Sequence, residues 1–344
     1  MAEIAIVILN WNGLKFLEQF LPSVIQYSEG AEIIVADNNS TDGSIQFTKD
    51  NFGDVRIIKI DTNEGYSKGY NTALAQVKAE YYVLLNSDVE VTAGWLHPII
   101  ALMASDPLIA ACQPKIKSYH QREYFEYAGA AGGFIDKYGY PFCRGRIFDQ
   151  LEKDLGQYND VQEIFWATGA CLFIKSEVYW QMTGLDDDFF AHMEEIDLCW
   201  RIRNAGYKIF YYGLSEVFHV GGGTLDKSSP TKTYLNFRNG LSLLYKNLPK
   251  NKIKTVIFIR MLFDGVAAFK FLIFDSYAHF LAVLKAHVYY YQNKKGMKQK
   301  RKKIDLLISG SNFPQNFIYP NSIVLDYFFR KKKTFAQLGW FKNG

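Results

Sequence analysis

Three segments far apart in the chain carry the residues best suited to chemistry. The first is Leu84-Leu85-Asn86-Ser87-Asp88, an apolar run that ends on a carboxylate. A strand built this way presents Asp88 at its carboxyl end, where it can hold Mg²⁺ or Mn²⁺ against a diphosphate. Such cations take one or two protein carboxylates and complete their shell with phosphate oxygens and water. An Asp that merely begins a turn before Val89 would read the same way. The second segment is Val217-Phe218-His219-Val220-Gly221-Gly222-Gly223, where His219 is a candidate nitrogen ligand and the glycines bring backbone N–H groups toward phosphate. Taken singly, a histidine after an aromatic is also what a packed, hydrogen-bonded histidine looks like. The third is Glu194-Glu195-Ile196-Asp197, at the start of a helix-like stretch. A transfer to a hydroxyl requires a carboxylate that accepts the proton as the oxygen attacks, and adjacent carboxylates repel, which raises the pKa of one of them. Neighbours at a helix start point in different directions, so one glutamate faces the substrate while the other caps the helix or pairs with Arg201 or Arg203. Asp197 and Arg201 form an ordinary i,i+4 pair, and acidic residues in a first turn also suit the helix dipole.

These groups need a scaffold that brings them together. The first 110 or so residues alternate short apolar runs with helix-like stretches, the pattern of βαβ units and a mainly parallel sheet. Strands are expected at Ile4–Leu9, Glu32–Ala36, Val55–Ile60 and Tyr81–Leu85. In open α/β sheets ligands lie outside the carboxyl ends of the strands. The loops there read Asn10-Trp11-Asn12-Gly13, Asp37-Asn38-Asn39-Ser40-Thr41-Asp42-Gly43, Asn63-Glu64-Gly65-Tyr66 through Asn71, and Asn86-Ser87-Asp88, and all four can converge on one cleft. Asp37 is placed to hydrogen-bond a nucleobase edge with Trp11 as a flat wall, while Asp42 or Ser40 serve as helix caps. From Ser118 to Gln162 the periodicity is weak, and an irregular, acceptor-side excursion is expected. A strand containing Thr168-Gly169-Ala170 is expected within Glu163–Ile174, the glutamate helix within Phe189–Ala205, and a further strand at Lys208–Tyr212.

With 344 residues, 49% of them hydrophobic, the chain can bury one large core or a catalytic domain with an appendage. A net charge of +4 makes nucleic acid a poor partner. The N-terminus reads as a buried strand rather than a signal peptide. Cys112, Cys143, Cys171 and Cys199 have neither C-x-x-C nor metal-ligand spacing, so four free thiols in the cytoplasm are expected.

Composition changes after about residue 225, which divides the chain into a catalytic domain, 1–225, and a helical, basic C-terminal region, 226–344. Val256–Tyr291 is apolar and aromatic, yet Arg260, Asp264, Lys270, Asp275 and Lys285 interrupt it, so it should lie on a membrane rather than cross it. Lys294, Lys295, Lys298, Lys300, Arg301, Lys302 and Lys303 follow, a cluster drawn to anionic lipid. A membrane-surface region spanning 253–303 on the inner face of the plasma membrane is therefore expected. The alternative is that these helices pack on the catalytic domain or on a second copy in a homodimer.

Taken in order, these motifs resemble glycosyltransferase family 2, and within it the rhamnosyltransferase-like enzymes of bacterial surface polysaccharides. The resemblance runs over about residues 4–245 and includes Gly184-Leu185-Asp186, Phe189 through Arg201, and Arg238-Asn239. It implies a GT-A fold, a Rossmann-like α/β domain with a mixed, mainly parallel sheet, and single-displacement, inverting hexosyl transfer. The implied donor is a dTDP- or UDP-sugar and the implied acceptor a lipid-linked saccharide. By motif match Asp37 meets the nucleobase, Asn86-Ser87-Asp88 stands where the metal-binding D-x-D lies, His219 is the further metal ligand, and Glu195 is the base with Glu194 as alternative. Asn10, Trp11, Asn12, Asn39, Asn63, Gly65, Tyr66, Asn71 and Arg238 match donor-side positions, and Trp166, Thr168 and Gly169 an acceptor-side wall. Two departures stand out. Asn86 replaces the first carboxylate, which weakens binding of the free ion, and Glu195 replaces an Asp, which displaces the base by one methylene. A catalytically inactive nucleotide-binding or membrane scaffold of the same fold is the competing expectation. A nicotinamide oxidoreductase is excluded because no G-x-G-x-x-G follows a strand and opens a helix.

Overall fold

A computed structural model describes residues 2–221, 229–308 and 317–340. Its centre is a nine-stranded sheet. Arg56–Lys59, Ala31–Asp37, Ala2–Asn10 and Ala79–Asn86 lie side by side and parallel. Cys171–Lys175 joins Ala79–Asn86 antiparallel, and Ile109–Ser118, the long strand Lys208–His219 and Val161–Glu163 extend the sheet beyond it. The expected parallel start and mixed continuation are both present.

Side-chain alternation explains why the sheet is covered on both faces. Ala5, Val7, Tyr82 and Leu84 point into one apolar cluster, while Ile4, Ile6, Ile8, Tyr81, Val83 and Leu85 point into the other. Helix Leu14–Tyr27 covers the second face with Leu17, Phe20, Leu21 and Val24, spaced as one helical stripe. Strand order reverses at Ala2–Asn10, which has Ala31–Asp37 on one side and Ala79–Asn86 on the other. The crevice outside that reversal is where such sheets bind ligands, and the loops beginning at Asn10 and Asn86 open into it.

Two expectations are corrected. Residues 118–162 are not irregular: Gly133–Asp136, Pro141–Cys143, Arg146–Ile147 and Gln150–Leu151 form a second sheet, completed by Ile318–Tyr319 from near the C-terminus. Its strands span two to four residues, too short for any periodicity to register. Thr168-Gly169-Ala170 forms the turn before strand Cys171–Lys175 and is not part of it. Beyond residue 225, Leu241, Ile257, Tyr290, Tyr319 and Phe335 belong to the same apolar cluster as Val7 and Leu84.

The C-terminal helices Pro230–Asn247, Ile253–Phe274, Tyr277–Gln292 and Lys294–Leu307 turn one side inward. Buried ion pairs fasten them. Arg260 reaches Asp264 at 2.8 Å, which also accepts from Tyr140 of the second sheet at 3.0 Å. Lys246 pairs with Asp197 of helix Glu194–Asn204 at 2.8 Å. The outer side is left exposed, with Phe258, Leu262, Val266, Phe269 and Ile273 forming a stripe along one helix. No helix among the described residues is long and apolar enough to cross a membrane.

Candidate active site

Sheet pairing creates the first half of the site. Strand Val89–Val91 lies antiparallel to the end of Lys208–His219, with His219 opposite Val89. That register sets Asp88 beside His219, and Val220 N–H donates to the Asp88 carbonyl at 3.1 Å. Asp88 Oδ1 lies 3.1 Å from His219 Nε2. On the other edge of the ring, Nδ1 lies 3.0 Å from Glu126 Oε2. All three side chains are buried. Burial by itself would raise both carboxyls, but the charge and hydrogen bond of His219 outweigh it and hold Asp88 and Glu126 below their ordinary values. Burial would lower His219, yet Asp88 and then Glu126 lift it well above the ordinary histidine value. The imidazole is thus flanked by two anions.

This donor set can be tested against a divalent cation. Among the described residues no group of three or more His, Cys, Asp or Glu side chains is arranged to hold a metal. What the chain offers is one carboxylate and one imidazole nitrogen 3.1 Å apart at the mouth of the strands. Magnesium and manganese accept such a sparse protein shell when substrate phosphates supply the remainder. Asp88 and His219 therefore fit the cation. Gly222 and Gly223 lie outside the described residues.

Loops after the first three strands interlock. Asn10 is fully buried, and its amide donates to Asp37, Ser40 and Ser44 at 2.9–3.1 Å. Asp37 is also buried and accepts from Asn10 and from Ser40 N–H at 2.9 Å. Asn12 accepts from Thr41 N–H at 2.8 Å, and Asn63 from Asn38 and Gly65 N–H. Asp42 caps two helix starts, taking Leu14 N–H at 2.8 Å and Ser44 N–H at 3.1 Å. Trp11 and Asn39 stay exposed above this network.

The glutamate pair opens helix Glu194–Asn204. Phe190, His192 and Met193 all adopt positive φ, 60°, 70° and 71°, immediately before helix Glu194–Asn204. Three non-glycine residues in that region make a strained loop. Arg238 and Asn239 hold it: the Asn239 amide donates to the carbonyls of Phe189, Ala191 and His192 at 2.7–3.0 Å, and Arg238 donates to those of Asp188 and Phe189. Gly65, at φ 75°, receives Phe190 so closely that a Cβ would lie 2.5 Å from its ring. Tyr66 then bridges the halves. Its hydroxyl donates to Gly169 carbonyl at 2.6 Å, and it feels the charge of both Glu194 and Glu195. Next to Gly169, the carbonyl of Ala170 accepts from Asn86 N–H at 3.0 Å. The Thr168–Ala170 turn thus has the Asp88 loop on one side and the glutamates on the other.

Neither glutamate pairs with Arg201 or Arg203, which are taken by Asp197 and Glu163. The Oε2 atom of each is buried without a hydrogen-bond partner. Burial, followed by the neighbouring Glu195, lifts Glu194 well above the ordinary value, and burial lifts Glu195 to about 7. An unneutralised carboxylate pair in a protein interior is costly, and such perturbed groups concentrate where chemistry is done.

Several expected contact residues have structural duties instead. Trp166 is buried, with its indole N–H donating to Phe134 carbonyl at 2.9 Å, and packs the joint between the sheets rather than lining an open wall. Asn71 is consumed by Leu185, Asp187 and Tyr179. Thr168 is buried and receives Ala170 N–H. Ser87 is partly buried at the cleft. Arg238 braces the loop before the glutamate helix through the carbonyls of Asp188 and Phe189. Glu126 escaped the sequence reading altogether, because nothing local distinguishes it and only the fold carries it to a histidine 93 positions away. A cavity of about 750 Å³ opens elsewhere, behind helix Glu194–Asn204 beside Trp200 and Pro249.

Residues 5–182 match Glycosyl transferase family 2. The N-acetylglucosaminyl-diphospho-decaprenol L-rhamnosyltransferase of Mycobacterium tuberculosis is 24% identical over 230 residues, covering 62% of this chain and 75% of that one. The structure of GalNAc-T7 with UDP, GalNAc and Mn²⁺ superposes with a TM-score of 0.56 at 18% identity, over 72% of this chain and 48% of that chain. A mannosyltransferase from Pyrobaculum calidifontis, solved with GDP-Man and Mn²⁺, gives 0.51 at 13% identity, over 89% and 86%. Those likenesses establish the GT-A fold. With more than half of its length matched, the chain belongs to glycosyl transferase family 2, within its rhamnosyltransferase-like branch, and is a glycosyltransferase.

Proposed function

We propose that the chain moves a hexosyl group, with rhamnose the first candidate, from a nucleoside-diphosphate sugar to a hydroxyl of a lipid-linked saccharide, inverting the anomeric carbon. The observation that carries the reading is the Glu194–Glu195 pair, whose Oε2 atoms are buried without a hydrogen-bond partner, together with the Asp88–His219 pair; Tyr66, which feels both glutamates, donates to Gly169 beside the carbonyl that accepts Asn86 N–H. Glu195 accepts the acceptor proton as the hydroxyl oxygen bonds to the anomeric carbon and the bond to the diphosphate oxygen breaks. A base with a pKa near 7 is half ionised at neutral pH and matched to that step. Glu194 keeps its proton. Asp88 and His219 would hold Mg²⁺ or Mn²⁺, which when bound neutralises charge on the departing diphosphate. Trp11, Asn39, Asn63 and the Asp37 loop receive the nucleoside, with Asn10 and Asn12 keeping that loop in shape.

The diphospho-decaprenol in the name of the mycobacterial relative supports a lipid-linked acceptor. So does the exposed stripe from Phe258 to Ile273, next to exposed Lys294, Lys295, Lys298, Lys302 and Lys303. We place the chain on the inner surface of the plasma membrane. The test is a panel of dTDP-, UDP- and GDP-sugars given to the purified chain with Mn²⁺ and lipid-linked acceptors. Release of nucleoside diphosphate matched to a glycosylated product is expected. Donor binding without turnover on every acceptor would instead support an inactive scaffold.

A further inference from the structure

We infer that Glu126 is a positioning residue of the cation site, fixing His219 so that Nε2 faces Asp88; this rests on the reading that Asp88 and His219 hold the cation. An imidazole can present either ring nitrogen to a ligand, and the partner of the other nitrogen decides which. Here Nδ1 lies 3.0 Å from Glu126 Oε2 and Nε2 3.1 Å from Asp88 Oδ1, so the two carboxylates address opposite edges of one ring. With Nδ1–H donated to Glu126, Nε2 is the nitrogen that faces Asp88, and its lone pair would be free for a cation that displaces the Nε2 proton. A histidine that donates its second N–H to a carboxylate is the usual support of a metal-binding imidazole.

The surroundings hold Glu126 in that orientation. Its backbone N–H donates to Ile116 carbonyl at 3.0 Å, which ties it to the strand beside His219, and its Oε2 also accepts Ala128 N–H. Gly221, at φ 71°, leaves room for the other oxygen, since a Cβ there would lie 2.6 Å from Oε1. Glu126 itself is 8% exposed, and it reaches the ring from the side away from Asp88. A cation held between Asp88 and Nε2 would not touch it. The loop that follows strand Ile109–Ser118, seven residues ahead of the second sheet, thereby contributes to a site otherwise built from the main sheet.

The experiment is a Mn²⁺ titration of the full chain, followed by water-proton relaxation, for wild type, Glu126→Ala, Glu126→Gln and Asp88→Asn. Loss of an outer carboxylate typically weakens metal binding about 10–100-fold. Glu126→Ala should fall in that range, and Glu126→Gln, which keeps volume and an acceptor oxygen, should show a smaller loss in the same direction. Excess Mn²⁺ should restore turnover in both, a rescue that misfolding would not give. Should Glu126→Ala fail to fold, Glu126→Gln decides. Mn²⁺ affinity within twofold of wild type in the glutamate variants, with binding abolished in Asp88→Asn, overturns the role of Glu126 alone. Unchanged binding in Asp88→Asn overturns the cation reading beneath it as well.

Discussion

Replacing Glu195 with Gln should make the protein more stable and nearly inactive. The side chain keeps its shape, so what is lost is a charge held in a site that disfavours it. Burial raises the Glu195 carboxyl from 4.5 to about 7, and at about 1.4 kcal/mol per pH unit this corresponds to about 3 kcal/mol against the ionised form. Relaxation and water entry reduce that figure, leaving a gain of about 1–3 kcal/mol. The sign follows from the direction of the shift. Because the folded pKa lies above the unfolded one, the folded state binds the extra proton between pH 4.5 and 7, so the penalty is absent below that window and complete above it. Urea unfolding of Glu195→Gln and wild type at pH 5 and pH 8 should give similar stability at pH 5 and a clear advantage to the variant at pH 8. Turnover should fall about 10²–10⁴-fold, the usual contribution of a general base. A variant with the wild-type dependence of stability on pH, or with activity within a few fold of wild type, would refute the assignment.

Other expectations separate neighbouring roles. Glu194→Gln should cost less than about tenfold in rate and leave the rise of kcat/KM with pH centred near 7, because burial and the neighbouring Glu195 favour the neutral form of Glu194; loss of that limb would exchange the two roles. Asn239→Ala removes the donor that three carbonyls of the strained loop share. It should lower kcat by about 10–100-fold through a displaced base, with donor affinity by calorimetry unchanged. Phe258→Ser with Phe269→Ser should reduce flotation with anionic liposomes, as should neutralising Lys302 and Lys303, at roughly 1 kcal/mol per charge. Lys300→Ala should leave flotation unchanged, because Asp186 and Asp188 already hold that lysine.

The strands of the parallel half were legible because each combines an apolar run with a polar loop, and observed boundaries fall within two residues of those expected. Asp88 and the glutamates could be picked out because a carboxylate at a strand end or in a first turn is locally conspicuous. The second sheet was not legible, since strands this short are stabilised by partners that include Ile318–Tyr319, far along the chain. Local sequence also could not tell a contact residue from a brace. Asn10, Asn71 and Arg238 carry the same polar groups in either role, and only their partners show that they hold loops together. Glu126 is the extreme case, an unremarked glutamate until the sheet sets it against His219.

The central claim is that Asp88 and His219 grip the leaving group while Glu195 faces it. Crystals of the chain grown with Mn²⁺ and a nucleoside diphosphate, measured at the manganese absorption edge, test this directly. A single anomalous peak between Asp88 Oδ1 and His219 Nε2, with the diphosphate on its open side toward Glu195, is the expected result. A peak elsewhere, or a diphosphate bound in the cavity beside Trp200, would contradict it.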